Sequence, residues 1–111
     1  MRIEIHYTKF QGTPNITAYV RKRLGFLEKA LKRFEKREEV LVLVELARVT
    51  AHHKKGDVFY AEAVIEIPGK PMRATFTGSD IRVAITKVEA KLKRELRQDK
   101  GRILTRIKRG L

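Results

Sequence analysis

Two long stretches of the chain carry apolar side chains at helical spacing, and four short ones alternate as strands do. Between Ser79 and Lys100 the apolar residues Ile81, Ala84, Ile85, Val88, Leu92 and Leu96 recur at a three- and four-residue spacing that puts them on one face of a helix. Ser79 or Asp80 stands where an N-cap belongs, and the helix spans about 33 Å at 1.5 Å per residue. A second helical pattern runs from Pro14 to about Phe34, with Ile16, Val20, Leu24, Leu27, Leu31 and Phe34 as its stripe and Tyr19 beside it. Thr13 is its expected N-cap, and Pro14 suits the first helical position because that N–H is unpaired anyway. Gly25 lies inside this pattern at a cost of about 1 kcal/mol relative to alanine, and a close backbone contact is the expected reason.

Arg2 to Tyr7 alternates with Ile3, Ile5 and Tyr7 on one face and Arg2, Glu4 and His6 on the other, the mark of a half-buried strand. Val40 to Val49 is rich in β-branched residues and reads as a second strand. Val58 to Ile67 is a third, with Phe59, Ala61, Ala63, Ile65 and Ile67 facing inward. Pro68 to Pro71 turns the chain into a fourth strand, Met72 to Thr77, with Met72, Ala74 and Phe76 inward. The order β-α-β-β-β-α predicts an α+β fold. Strands one and two should pair in parallel through a right-handed crossover, and the last three should form an antiparallel meander. Both amphipathic helices need one apolar surface, so they should lie on the same face of a four-stranded sheet.

A chain of 111 residues makes one domain with room for a real core. The folded unit is expected over residues 1–100, followed by a basic tail at 101–111. Whether that tail extends the last helix is open from its pattern, although Gly101 argues for a break. No apolar run approaches a membrane span, and Met1 leads directly into a strand pattern, so a cytoplasmic protein without a signal peptide is expected. Cysteine is absent, which removes disulfides, thiolate metal sites and cysteine nucleophiles.

Charge changes the picture most. Lys and Arg number 26 against 13 acidic residues, a formal charge of +13, and a balance of that size concerns partners more than fold. On the last helix Arg82, Lys87, Lys91, Lys93, Arg94, Arg97 and Lys100 lie away from the apolar stripe. The first helix carries Arg21, Lys22, Arg23, Lys29, Lys32, Arg33 and Lys36 in the same way. One such row is what any solvated helix shows. Two rows placed side by side by a shared sheet make a patch suited to a polyanion, nucleic acid ahead of an anionic membrane.

Catalysis finds little footing. Ser79 is the only serine and is better used at a helix start than as a nucleophile needing a base in reach. His52 and His53, even with His6 or Asp57, lack the spacing of a metal site. With Lys54 and Lys55 they read instead as a charged finger at a strand turn, with donors for phosphate oxygens and imidazole for stacking on a base. No enzyme activity, metal, cofactor or small-molecule substrate is expected.

The chain resembles the ribosome hibernation promoting factors, also described as ribosome-associated inhibitors of translation. The residues that carry the likeness are T-P-N-I-T-A-Y-V-R-K-R-L-G-F-L-E-K at 13–29, H-H-K-K-G-D-V-F-Y-A-E-A at 52–63, I-P-G-K-P-M-R-A at 67–74, and S-D-I-R-V-A-I with K-L-K-R-E-L-R at 79–97. The resemblance implies binding to the 30S ribosomal subunit in the channel for messenger and transfer RNA, and a block on translation under stress. It implies contacts to 16S rRNA from Lys22, Arg23 and Lys29 on the first helix and from Lys87, Lys91, Arg94, Arg97 and Lys100 on the second. Longer members add a linker and a second domain that pairs ribosomes. This chain ends at Leu111 and is expected to act as a short form, a monomer when free. The alternative is a general double-stranded-RNA-binding module, which shares a sheet backed by two helices and is indifferent to the ribosome.

Overall fold

The computed structural model describes residues 1–35, 38–49, 56–67 and 71–108, without the side chains of 99–108. Strand β1 (Arg2–Thr8) leads to helix α1 (Pro14–Gly25), a single turn α2 (Glu28–Leu31) and a 3-10 turn at Lys32–Phe34. Strands β2 (Leu41–Val49), β3 (Val58–Glu66) and β4 (Met72–Gly78) follow, and helix α3 (Ile81–Lys108) ends the described chain. The sheet order is β1-β2-β3-β4, with β1 and β2 parallel and the other two pairs antiparallel. The expected α+β architecture is the one observed.

The alternation read in the strands becomes two faces. Val42, Val44, Leu46, Ala61, Ala63, Ile65, Met72 and Ala74 join Val20, Leu24, Leu27 and Leu31 and the α3 residues Ala84, Ile85, Val88, Leu92 and Leu96 in one buried cluster. Both helices therefore lie on one side of the sheet. α3 packs over β3 and β4, where alanines at 61, 63 and 74 leave room for a helix to come close. The opposite face carries Glu4, His6, Leu43, Glu45, Glu62, Val64 and Glu66 along an open groove of about 490 Å³.

Three expectations are corrected. The first helix is not continuous to Phe34. After Gly25 the amides of Phe26 and Leu27 bond back three residues, to Arg23 and Leu24, the tighter 3-10 pattern common at helix ends. Phe26 and Leu27 keep helix-like dihedrals, so the axis bends and still brings Leu24, Leu27 and Leu31 onto the core, each no more than 1% exposed. Gly25 makes no close contact, since a Cβ there would meet nothing within 4 Å. Its weak helix propensity at the bend is its visible effect. Nor does Gly101 break α3, which has 28 residues and a length of about 42 Å. One glycine costs about 1 kcal/mol, which its helix-forming neighbours absorb.

The caps follow the sequence. Thr13 Oγ1 accepts from the Ile16 amide at 3.2 Å, and Pro14 occupies the first turn. Of the two candidates for α3, Asp80 is the cap, its carboxylate accepting from the amides of Arg82 at 2.9 Å and Val83 at 3.3 Å. A glycine with a clear steric role is Gly12, where any Cβ would run into the Tyr7 ring. Among the described residues no helix is long and apolar enough to cross a membrane.

Candidate nucleic-acid interface

Helices α1 and α3 run side by side in the same direction, because their contacts ascend together along both. The Tyr19 hydroxyl meets Thr86 Oγ1 at 2.6 Å, and further on Arg23 pairs with Glu89 at 3.7 Å. Beyond α2, Arg33 donates to the Leu96 carbonyl at 3.1 Å. Their outer surfaces thus form one continuous patch. Lys22 and Lys29 are exposed on the first helical segment, and Lys87, Lys91, Arg94 and Arg97 on α3. Lys100 lies within α3, but its side chain is outside the described atoms, and His52, His53, Lys54 and Lys55 lie outside the described residues.

Arg23 differs from the other six helix positions read from the sequence whose side chains are described. Its side chain is only 29% exposed and its partner Glu89 is buried. A buried carboxylate needs a counter-charge, and Arg23 supplies it, so this cation serves the α1–α3 contact. Among the described residues, none of Lys22, Lys29, Lys87, Lys91, Arg94 and Arg97 pairs with a carboxylate.

On the other flank of α3, Lys91 bends back to β4. Its ammonium donates to the Thr75 carbonyl and lies 5.4 Å from the centre of the Phe76 ring. Glu95 stands four residues on, at the spacing of an i,i+4 pair, but Lys91 turns to β4. Lys91 and Arg94 instead meet Arg73 of β4 across an open cleft of about 410 Å³, also lined by Thr75, Glu95 and Gln98. In the sequence Arg73 merely alternates with the inward Met72, Ala74 and Phe76, and its approach to α3 depends on β4 being the sheet edge. Glu62 of β3 holds it, accepting from Arg73 Nε at 2.8 Å and from the Tyr60 hydroxyl at 2.7 Å. The Tyr60 hydrogen bond and the Arg73 guanidinium keep the Glu62 carboxyl below the usual range, against its partial burial. Burial and that carboxylate push the Tyr60 hydroxyl up.

A further feature escaped the sequence pattern. Along the α1–α3 seam, guanidinium groups lie over aromatic rings, Arg82 over Tyr19 at 5.5 Å and Arg23 over Phe26 at 5.4 Å. Phe26 is 53% exposed. Periodicity leaves it off the buried stripe between Lys22, Arg23 and Lys29, but gives no sign that Arg23 would lie over its ring.

The surface therefore presents exposed cations along two parallel rods, anchored guanidinium groups between them, and an exposed aromatic ring. Such a surface binds phosphates and bases by charge, shape and stacking and does no covalent chemistry.

The fold has close structural counterparts. The N-terminal domain of Protein Y from Thermus thermophilus superposes with a TM-score of 0.68 at 23% identity, covering 88% of this chain and 98% of that one. A ribosomal subunit interface protein from Coxiella burnetii superposes with a TM-score of 0.65 at 17% identity, covering 91% and 99%. At these identities the likeness concerns the fold. No curated protein sequence matches the chain significantly. A family model matches residues 3–104, nearly the whole of the described chain, and the protein accordingly belongs to the ribosome-associated family described as sigma 54 modulation protein / S30EA ribosomal protein.

Proposed function

We propose that the protein is a ribosome hibernation factor of the cytoplasm. It lodges in the messenger and transfer RNA channel of the small subunit, grips 16S rRNA through the outer faces of α1 and α3, and so inhibits translation under stress or in stationary phase. The observation that carries this reading is the side-by-side placement of two cationic rows on one side of a sheet, in which, among the described residues, Lys22, Lys29, Lys87, Lys91, Arg94 and Arg97 pair with no carboxylate while Arg23 is held by Glu89. A neutralised surface would have no grip on RNA. This one leaves Lys22, Lys29, Lys87, Arg94 and Arg97 exposed for a partner. The family membership supplies the ribosome as the setting, and the two structural neighbours include one described as a subunit interface protein.

The mechanism needs no catalysis. A rigid wedge with two cationic edges fills a cleft between RNA walls and excludes messenger and transfer RNA by mass action. If about five phosphates are neutralised, log K should fall with log salt at a slope of roughly −3.5 to −4.5. Cosedimentation with small subunits, intact ribosomes and paired ribosomes on a sucrose gradient, alongside a translation assay, tests the reading. The protein should travel with small subunits and slow translation, and Lys91→Glu/Arg94→Glu/Arg97→Glu should do neither while remaining folded. Equal affinity for a plain RNA duplex and for small subunits would instead mark a general double-stranded-RNA-binding module.

A further inference from the structure

The two rings on the α1–α3 seam stand in different company. Tyr19 packs against the core cluster and is hydrogen bonded to Thr86. Phe26 takes no part in that cluster and is one of two large apolar side chains exposed among the described residues. Lone exposed apolar groups are common on protein surfaces, so exposure alone says little. Three observations make Phe26 different. Its ring is already held on one side by Arg23, whose guanidinium is itself tied to Glu89. Next to it, a Cβ at Gly25 would meet no atom within 4 Å other than those of its chain neighbours and its own helix backbone, so no other part of the fold crowds the space alongside. Lys22 and Lys29, both exposed, lie about one turn to either side.

A flat, positioned, half-exposed ring with ammonium groups on both sides has the parts of a single-stranded nucleotide subsite. Bases stack on aromatic faces whatever their identity, while neighbouring cations take the phosphates. Sites on structured RNA that are read by proteins are mostly unpaired or splayed bases of this kind.

We propose that Phe26 is a stacking platform for one unpaired nucleobase of RNA, with Arg23 fixing the ring and Lys22 and Lys29 receiving the flanking phosphates. The inference rests on the RNA-binding reading above and adds that the interface takes a single-stranded or looped-out nucleotide beside α1, as well as duplex phosphates.

The chain contains no tryptophan, so Phe26→Trp installs a single fluorescent reporter at the subsite. Its emission should be quenched on titration with small subunits and with a short single-stranded oligoribonucleotide, and much less with a blunt RNA duplex. Phe26→Ala and Phe26→Leu should each weaken subunit binding about tenfold, within the range that one base–aromatic stack contributes. Phe26→Tyr should bind as the unmodified protein does, and all variants should melt normally because the ring is outside the core. Unchanged indole emission in a variant that still cosediments, equal quenching by duplex, or full binding by Phe26→Leu would each overturn the stacking platform and leave the ribosome reading standing. Failure of the unmodified protein to cosediment with subunits would overturn both.

Discussion

The two broad sides of the molecule handle charge in opposite ways. On the helix side, Lys22, Lys29, Lys87, Arg94 and Arg97 are exposed, and no carboxylate partner engages them among the described residues. On the open side of the sheet most charged groups, Glu66 and His6 aside, have a neighbour from the fold. Glu4 pairs with Arg2, Glu45 accepts from Thr8, and Glu62 accepts from Tyr60 and Arg73. Glu45 and Glu62 even stand directly opposite each other in the β2–β3 register. Like charges placed so are unfavourable, and the hydroxyl and guanidinium donors on either side offset the repulsion. The difference separates charge that holds register from charge that waits for a partner. Substitutions on the sheet side should register in stability, and those on the helix side in binding.

The hardest test of that contrast is Lys91→Glu/Arg94→Glu/Arg97→Glu. Three reversals on the partner-seeking side should lower affinity for small subunits about 100-fold or more, with a melting temperature close to that of the unmodified protein. Tight binding by this variant would erase the distinction. As a counterpart, Leu92→Ala in the shared core should cost about 2–5 kcal/mol in a denaturant titration, because Leu92 is fully buried between α3 and the sheet.

A sharper test uses two neighbours on α1. Arg23→Ala should destabilise by about 1–2 kcal/mol, since it strands the buried Glu89. Lys22→Ala should leave stability within about 0.5 kcal/mol and make the salt slope of subunit binding shallower by about 0.7–0.9. The reverse outcome would mean that burial misidentifies which cation the fold uses.

The sheet side makes a prediction in pH. The Glu62 carboxyl lies below its ordinary value of 4.5 because of Tyr60 and then Arg73. A carboxyl lowered on folding contributes stability above its unfolded value, and that contribution disappears as pH falls through the folded one. Glu62→Gln should therefore cost about 1 kcal/mol at neutral pH. It should also lose less on acidification from roughly pH 6 to 3 than the unmodified protein. Parallel acid limbs in the two melting series would show that Glu62 is not a stabilising acid.

The smallest effect belongs to Gly25→Ala. Nothing beyond its chain neighbours lies in the space of the new methyl group, and the gain in helix propensity should raise stability by about 0.5 kcal/mol in a denaturant titration. A large loss would restore the close contact that the sequence led one to expect there.

Much of the architecture was legible from periodicity because burial imposes it locally. Each strand's alternation and each helix's stripe must face the core wherever the element ends up. The caps at Thr13 and Asp80 were legible for the same local reason, since a side-chain oxygen near the first turn satisfies free amides. The bend after Gly25 was less so. Its leucine stripe runs unbroken through a change of axis, and a single glycine stops neither pattern nor, at Gly101, the helix.

The sequence by itself determined the order of elements, the faces they bury and the excess of cations, because these follow from side-chain chemistry repeated at fixed backbone periods. Only the tertiary structure decided which cations stay available. Arg23 is drawn to Glu89 from another helix, where its guanidinium also lies over the exposed Phe26 ring, and Arg73 is drawn to Glu62 on a neighbouring strand. Those outcomes depend on contacts between residues far apart in the chain, and no local pattern encodes the distance between two elements that have yet to meet.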